Sequence, residues 1–323
     1  MFDDYKIAYF RDNVKIREAK PLSFIRQSVG YMLSHSARSI PHAGGVTTID
    51  VTPLIDYTTE SYKTMVQRPG ETPEQFRLRK AVRKNYSAFF LKAIAHSLHK
   101  NPSMNACLDY RRWRSGGVLY VAEDVNIGYT VHTKFGVIKP IIHNAHEKEL
   151  TTVADEMRLL TRKARKTDAN ELYQRAALAY IRASLKQLNF SELSGMWMLL
   201  RSFLWQRPKT DPGYANVSEE EKLQVKDILG VTCTLANIGM SASGNQTVTV
   251  ITPPEVFMIG LGDIHPEPLV VDGQVVPRQV IRMFVTFDHR AFDAGEMFPL
   301  VATLMQYIHN PEKIYEWNHG DEI

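Results

Sequence analysis

The sequence predicts a β-sheet flanked by helices, in the α/β or α+β class. Three observations support this prediction. Runs rich in β-branched and aromatic residues, typical of buried strands, recur along the chain. Segments with apolar residues three and four positions apart, typical of amphipathic helices, lie between them. Finally, 44% of the 323 residues are hydrophobic, which is enough to build a sizeable core.

The N-terminal half alternates predicted helices with predicted strands. Residues 1–18 are polar and charged and are interpreted as an arm ahead of a domain that spans 19–323. The first predicted elements are a helix capped by Ser23 and broken at 39–45, and a strand at 46–52. A loop at 58–80, which contains Pro69, Gly70 and Pro73, leads into a helix through 89–98 that stops at Asn101-Pro102. Strands at 125–131 and 136–142 follow, and then a helix with Leu150, Val153, Met157 and Leu160 inward.

The C-terminal part returns to strands. Its predicted elements are strands at 230–239, 246–256 and 257–262, a hairpin at 271–277 with Asp-Gly at its tip, a buried strand that ends at 287, and a helix with Met297, Val301, Leu304 and Ile308 on one side.

Residues 167–228 are interpreted as a helical insertion. Leu172, Ala176, Ala179 and Leu185 predict one helix, and an unusually apolar segment with two tryptophans at 193–205 predicts another. Such a segment can lie on a membrane surface, cover an acyl-binding tunnel, or pack on its own domain or a neighbouring subunit. Packing is favoured, because Arg201 alone gives the segment little basic surface with which to bind lipid headgroups.

Composition narrows the functional classes. A net charge of +4 gives no indication of a nucleic-acid partner, and two isolated cysteines indicate neither a disulfide framework nor a metal site. Without a secretory signal pattern or a long apolar run, the chain is expected to be soluble and cytoplasmic. His143 and His146 lack an acidic third ligand and are expected at the surface. The basic tract 111–114 fits a solvated turn better than a phosphate contact.

The string Phe287-Asp-His-Arg-Ala-Phe-Asp-Ala-Gly295 is the most informative stretch for function. It places His289 at the end of a predicted strand, with Asp293 four residues later. A histidine held between rigid elements is well placed to act as a general base. The His-x-x-x-Asp spacing alone has low specificity, because it also arises from ordinary pairs one helical turn apart.

The full string resembles the active-site signature of the dihydrolipoamide acyltransferases of 2-oxoacid dehydrogenase complexes, in the chloramphenicol acetyltransferase-like superfamily. Ordered segments elsewhere support the resemblance over 20–166 and 229–315, and they are Ile40-Pro-His, Asp50-Val-Thr, Asn105-Ala, Asn126-Ile-Gly, Asn237-Ile-Gly and Pro254-Glu. The resemblance implies the family's mixed sheet, a homotrimer or a larger assembly of trimers with active sites between subunits, and an N-terminal arm packed on a neighbour.

The resemblance also implies the chemistry. His289 would deprotonate a thiol or hydroxyl that attacks an acyl-coenzyme A, so coenzyme A is a substrate and no metal is needed. Asp293 would be structural and would pair with an arginine, for which Arg26 is the candidate. No lipoyl domain precedes the predicted core, so the acceptor is expected to be a lipoyl group on a separate protein or another small molecule.

Two positions depart from the family pattern. Ala236 stands where the family usually has a hydroxyl residue that hydrogen-bonds the tetrahedral oxyanion, and Ala294 stands where the family has glycine. Candidate substitutes for the missing donor are Thr234, Asn237 and Ser241.

Three functions remain open from the sequence. The first is a stand-alone acyltransferase that uses acyl-coenzyme A, with His289 and Asp293 retained. The second is a weakly active or non-catalytic trimeric assembly subunit, which Ala236 and Ala294 suggest. The third is a condensation on a carrier-bound acyl group in the same fold.

Overall fold

The structure is a computed structural model, and it describes residues 2–111, 116–186, 211–214, 216–237, 239 and 249–323. The α-helices of this part are α1 (Phe2–Asn13), α2 (Phe24–Ser39), α3 (Thr52–Thr64), α4 (Pro73–Val82), α5 (Tyr86–Lys100), α6 (Leu150–Arg165), α7 (Ala169–Lys186), α8 (Ala294–His309) and α9 (Glu312–Tyr315). Its strands are β1 (His42–Asp50), β2 (Ala106–Arg111), β3 (Gly116–Val121), β4 (Ile127–Tyr129), β5 (Val131–Thr133), β6 (Gly136–Ile138), β7 (Ile141–Ile142), β8 (Cys233–Asn237), β9 (Phe257–Val271) and β10 (Gln274–Asp288).

A six-stranded sheet in the order β1-β10-β9-β8-β4-β7 organises the molecule. Strand β8 runs parallel to both β4 and β9, and the other pairs are antiparallel. The prediction of a mixed sheet flanked by helices is therefore confirmed. Strands β9 and β10 form a long hairpin whose tip, Asp272-Gly273, has φ values of 51° and 78°, the left-handed conformation that an Asp-Gly turn favours.

The hydrophobic core lies on one face of the sheet. Helix α5 is buried from Ala88 to Leu98 and packs against α8, and both belong to the cluster that includes Ile259, Val285 and Phe287. The opposite face carries a smaller cluster of Ile40, Ala236, Ile251 and Met258. The residues of β8, β9 and β10 thus alternate between a large core and a second, smaller buried layer.

The prediction of a loop at 58–80 is wrong over most of that range, because α3 and α4 occupy much of it. Pro69 lies in the turn between the two helices, whereas Pro73 begins α4 rather than breaking a helix. Pro73 follows Thr72, which forms a capping box with Gln75: Thr72 N–H donates to Gln75 Oε1 at 2.8 Å, and Gln75 N–H donates to Thr72 Oγ1 at 3.2 Å.

The strand predicted at 246–256 is also wrong for its described part, 249–256. This segment is irregular and pairs only through an isolated bridge between Glu255 and Cys107. Consecutive prolines explain the absence of a strand, because Pro253 and Pro254 have no N–H to donate to a ladder. The predicted strands at 125–131 and 136–142 are each broken into two short strands.

Several local predictions are confirmed. Ser23 caps α2 by accepting a hydrogen bond from Arg26 N–H at 3.3 Å, α7 spans the first predicted insertion helix, and α8 begins at Ala294, at the end of the string 287–295. The second insertion helix at 193–205 and the tract 112–114 lie outside the described residues. None of the described helices is long and apolar enough to cross a membrane.

His146 corrects the prediction that both neighbouring histidines lie at the surface. Its ring is buried and stacks on His99 with ring centroids 4.6 Å apart, while His143 is exposed. The ammonium of Lys92 lies beneath, where it donates to the carbonyl of Ala145 at 3.2 Å and that of His146 at 2.7 Å. Burial lowers the pKa of Lys92 to about 7.

Candidate active site

His289 stands where β10 ends, and its backbone is tied to the sheet. Its N–H donates to Pro41 O at 3.0 Å, and the preceding N–H of Asp288 donates to Val256 O at 2.8 Å. The chain then turns sharply, since the N–H groups of Ala291 and Phe292 both donate to Asp288 O. Phe292 is buried and anchors the far side of the turn. The histidine is thus presented on a short loop fixed at both ends.

An ion pair within this loop holds its shape. The side chain of Asp288 is only 2% exposed. It accepts from Arg290 Nη2 at 2.6 Å, from Nε at 2.9 Å and 3.2 Å through its two oxygens, and from the Arg290 N–H at 3.0 Å. The guanidinium also lies over the ring of Tyr110 on β2, 4.9 Å from its centroid. The planar fork of arginine suits this two-point contact.

The imidazole of His289 projects from the loop with half of its surface exposed. Its Nδ1 lies 3.3 Å from Asp293 Oδ1, and its ring meets Phe287 edge-on at 5.7 Å. Asp293 begins α8, and its N–H donates to Glu296 Oε2 at 2.7 Å. A carboxylate at this distance from Nδ1 favours a proton on that nitrogen, which would leave the lone pair on Nε2.

Arg26 does not fill its predicted role in the described structure. It is an exposed residue in the first turn of α2, and the carboxylate of Asp293 pairs with His289 instead. The arginine that braces the loop is Arg290, and the carboxylate that it holds is Asp288. This pair is not among the sequence predictions, although its two residues stand on either side of the histidine in the chain, a spacing that fits a tight turn.

The three candidate oxyanion donors are placed differently. Thr234 is fully buried on β8, and its hydroxyl accepts from Lys139 Nζ at 3.3 Å. Asn237 ends β8, where its amide donates to Ser87 Oγ at 3.0 Å and its carbonyl oxygen accepts from Gly239 N–H at 3.2 Å. Ser241 lies outside the described residues.

A buried polar cluster surrounds Thr234. Lys139 forms an ion pair with Glu255, whose side chain is fully buried, and it also donates to Thr252 Oγ1 at 2.6 Å. Burial, reinforced by the nearby charge of Glu255, raises the pKa of the Cys233 thiol well above its ordinary value. That thiol is therefore kept protonated and unreactive. Within the described residues, no group of three or more His, Cys, Asp or Glu side chains is arranged to hold a metal ion.

Ala236 is far from His289 within one chain. In the sheet, Ala236 pairs with Gly260, which pairs with Phe284. His289 lies five residues beyond Phe284, so at ~3.3 Å per residue about 16 Å separates the two positions along the strand direction alone. A single chain therefore does not bring the histidine to Ala236.

Ala294 occupies the first position of α8 with an ordinary backbone. The positive-φ residues other than glycine in the described chain are Asn144 and Asp272. Alanine at 294 thus carries no conformational penalty in this structure, because the left-handed region that favours glycine is not used there.

A family model for the catalytic domain of the 2-oxoacid dehydrogenases acyltransferases matches residues 15–173 and 213–316. The chain belongs to this family. The match covers the loop that carries His289 and the strands that support it. Its gap, 174–212, begins within α7 and lies inside the predicted insertion of 167–228.

Individual relatives are more distant. The dihydrolipoyllysine-residue acetyltransferase component of the pyruvate dehydrogenase complex of Staphylococcus aureus (strain Mu50) is 23% identical over 288 residues, which cover 89% of this chain and 50% of that protein. The chain thus spans about half the length of the curated relatives that it matches.

Two solved structures share the fold. Dihydrolipoamide acetyltransferase of Azotobacter vinelandii aligns with a TM-score of 0.66 at 20% identity, covering 94% of this chain and 96% of that one. The cubic core of the pyruvate dehydrogenase multienzyme complex aligns with a TM-score of 0.63 at 19% identity over the same shares. The work on the Azotobacter enzyme concerns a serine, a histidine and an asparagine in its catalytic mechanism, with the last two four positions apart.

Proposed function

We propose that this chain transfers an acyl group between coenzyme A and the thiol of a dihydrolipoyl-type acceptor, with His289 as general base. The observation that carries the proposal is the placement of His289, whose Nδ1 faces Asp293 on a loop braced by the Asp288–Arg290 pair. The histidine and asparagine named for the Azotobacter enzyme have the same spacing as His289 and Asp293 here.

The proposed mechanism uses one proton and no enzyme nucleophile. Nε2 of His289 takes the proton of the acceptor thiol while an oxygen of Asp293, 3.3 Å from Nδ1, keeps the ring in place. The thiolate attacks the thioester carbonyl of acyl-coenzyme A and forms a tetrahedral oxyanion. The intermediate collapses by breaking its bond to the sulfur of coenzyme A, and that thiolate recovers the proton from Nε2. The reaction runs in either direction, because both partners are thioesters of similar energy.

The complete site is proposed to form between two copies of the chain in a trimer. About 16 Å along the strand direction separates His289 from the β8 row of Ala236 in one chain, so a second copy has to supply one side. The cubic core of the pyruvate dehydrogenase complex offers a precedent for assembly of this fold. A homotrimer, alone or within a larger core, fits this division of the site.

The names of the relatives point to a dihydrolipoyl group on lysine as the acceptor. In this proposal the lipoyl group is carried outside residues 1–323 and reaches the site on a tether or a separate protein. The identity of the acyl group is left to a substrate panel, and the apolar segment at 193–205 makes longer or branched acyl chains the first to include.

The test measures release of free coenzyme A from a panel of acyl-coenzyme A donors with dihydrolipoamide and other thiol or hydroxyl acceptors. Wild type is expected to turn over at least one pair, and His289→Ala is expected to lose about 100-fold or more. His319→Ala, which removes an exposed histidine near the C-terminus, is the matched control and should keep wild-type activity. Turnover that survives in His289→Ala would refute the proposed base.

A second function rests on one observation. Ala236 has no hydroxyl, so the β8 position where the family usually has a hydroxyl residue lacks its side-chain donor. If no donor and acceptor pair shows turnover that depends on His289, we would assign the chain to an assembly role. Sedimentation analysis of the purified chain would then be the deciding measurement, with a stable trimer expected.

A further inference from the structure

The loop that carries His289 is held by two backbone hydrogen bonds to different parts of the chain. Pro41 O accepts from the His289 N–H at 3.0 Å, and Val256 O accepts from the Asp288 N–H at 2.8 Å. Pro41 lies in the link between α2 and β1, and Val256 ends the irregular segment 249–256. The position of the histidine backbone therefore depends on how these two segments are held relative to each other.

Side chains, and not a neighbouring strand, hold the segment 249–256 at its buried residue Ile251. The N–H of Ile251 donates to Nε2 of His42 at 3.3 Å, and the carbonyl of Ile251 accepts from the hydroxyl of Ser36, a residue that is itself fully buried. Buried backbone polar groups need partners. His42 and Ser36 thus supply to Ile251 the two hydrogen bonds that a sheet would otherwise supply.

His42 joins the two segments that support the loop. It directly follows Pro41, and it is the cross-strand partner of Asp288 where β1 pairs with β10. Its Nδ1 lies 3.0 Å from the carbonyl oxygen of Ile40, while its Nε2 accepts from Ile251. One imidazole therefore fastens the chain on both sides of Pro41 to the segment that leads to the other support.

These contacts define the tautomer of His42. A carbonyl oxygen only accepts, so the proton of the ring is on Nδ1, facing Ile40. A backbone N–H only donates, so the lone pair is on Nε2, facing Ile251. Both ring nitrogens have partners within the chain, and any effect of His42 on catalysis is exerted through the backbone that it holds.

We propose that His42 is a positioning residue for acyl transfer, whose neutral ring locks together the two segments that support the backbone of His289. This inference rests on the proposed function and adds a residue to it. A general base works only within hydrogen-bond reach of the proton that it takes, and a misplacement on the order of 1 Å costs about 100-fold in rate. The loss is therefore expected in kcat and not in the binding of acyl-coenzyme A.

The test compares two substitutions of His42 with opposite properties. His42→Phe keeps a flat ring and removes both nitrogens, whereas His42→Gln loses the ring but keeps an amide oxygen that can accept from Ile251. His42→Phe is expected to lower kcat about 100-fold, with the KM for acyl-coenzyme A within threefold of wild type, and His42→Gln should retain kcat within about 10-fold. If His42 only fills space, the order of the two variants would be reversed. His35→Phe, the same change at an exposed position on α2, is the matched control.

Nitrogen NMR of the histidine rings in wild type gives a measurement that does not depend on activity or on the folding of a variant. At pH 8, His42 is expected to carry its proton on Nδ1 and a lone pair on Nε2. A proton on Nε2 instead would overturn the proposed contact with Ile251.

The outcomes separate this inference from the function on which it rests. Wild-type turnover that His289→Ala abolishes and His42→Phe leaves within threefold would refute the positioning role and keep the acyltransferase. An equal loss in His42→Phe and His42→Gln, in variants that remain folded by circular dichroism, would also refute it. Absence of wild-type turnover would instead reject the proposed function itself, and with it any role of His42 in acyl transfer.

Discussion

Asp288 and Arg290 are the residues immediately before and after His289, and the carboxylate of one forms a two-point ion pair with the guanidinium of the other. The carboxylate is almost completely buried, and the arginine is about one quarter exposed. The pair closes the turn that follows β10 and ties it to Tyr110 of β2. The direction of the histidine therefore depends on a contact between its two neighbours.

Removing the Asp288 carboxylate is expected to damage both stability and activity. Asp288→Ala leaves Arg290 without its partner, which costs about 3 kcal/mol of unfolding free energy for a largely buried pair. Urea unfolding measures this loss, and kcat should fall at least 10-fold because the loop loses its shape. Asp155→Ala removes one partner of an exposed pair on α6, and its cost should stay below about 0.5 kcal/mol. Equal costs for the two variants would contradict the bracing role.

Asp293 is expected to act through hydrogen bonding to His289 more than through its net charge. Asp293→Asn keeps an acceptor oxygen 3.3 Å from Nδ1, so it should retain kcat within about 10-fold. Asp293→Ala removes the acceptor and should lose considerably more. Nitrogen NMR of the histidine ring would show whether Nδ1 stays protonated in the asparagine variant, and loss of that tautomer without loss of kcat would overturn this account.

Gly44 and Gly45 offer a matched test of backbone packing beside the site. A methyl group at Gly44 would lie 1.9 Å from the carbonyl oxygen of Val285 on β10, whereas none of the surrounding atoms lies within 4 Å of one at Gly45. Gly44→Ala therefore has to separate β1 from β10 and should cost several kcal/mol in urea unfolding, more than the ~1–3 kcal/mol typical of overpacking. Gly45→Ala should change stability by less than about 1 kcal/mol.

Lys92 is expected to make stability depend on pH. Burial lowers its folded-state pKa to about 7 from an ordinary value of 10.5, so between these values the unfolded chain binds more protons than the folded chain. The unfolding free energy that depends on Lys92 is therefore greatest above pH 10.5. It decreases as the pH falls towards 7, by up to about 1.4 kcal/mol per pH unit. Relative to Lys92→Met, wild type should gain unfolding free energy from pH 7 to 9.

The matched control for Lys92 is Lys63→Met, at an exposed position on α3. Its difference from wild type should be the same at pH 7 and pH 9, because the side chain is hydrated in both states. A pH-independent difference for Lys92→Met would mean that the buried ammonium keeps its proton throughout this range.

The amino-acid sequence determined the fold class, the order of the C-terminal strand, loop and helix, and the position of His289. These features depend on local patterns: strand-forming residues up to Phe287, an Asp-Gly hairpin tip, and apolar spacing through α8. Local patterns also mislead, since the sequence around Pro73 predicts a loop although Pro73 begins α4. A proline at a helix start and one in a loop look alike until the cap beside it is seen.

Only the tertiary structure decided which side chains act together. The loop is braced by Arg290 and not by Arg26, His146 is buried against His99, and Thr249 meets Thr286 across 36 intervening positions. Each of these contacts depends on strand register and on the turn geometry at the end of β10, which place distant residues within a few ångströms. Spacing along the chain carries no such information, because the same spacing arises in many different folds.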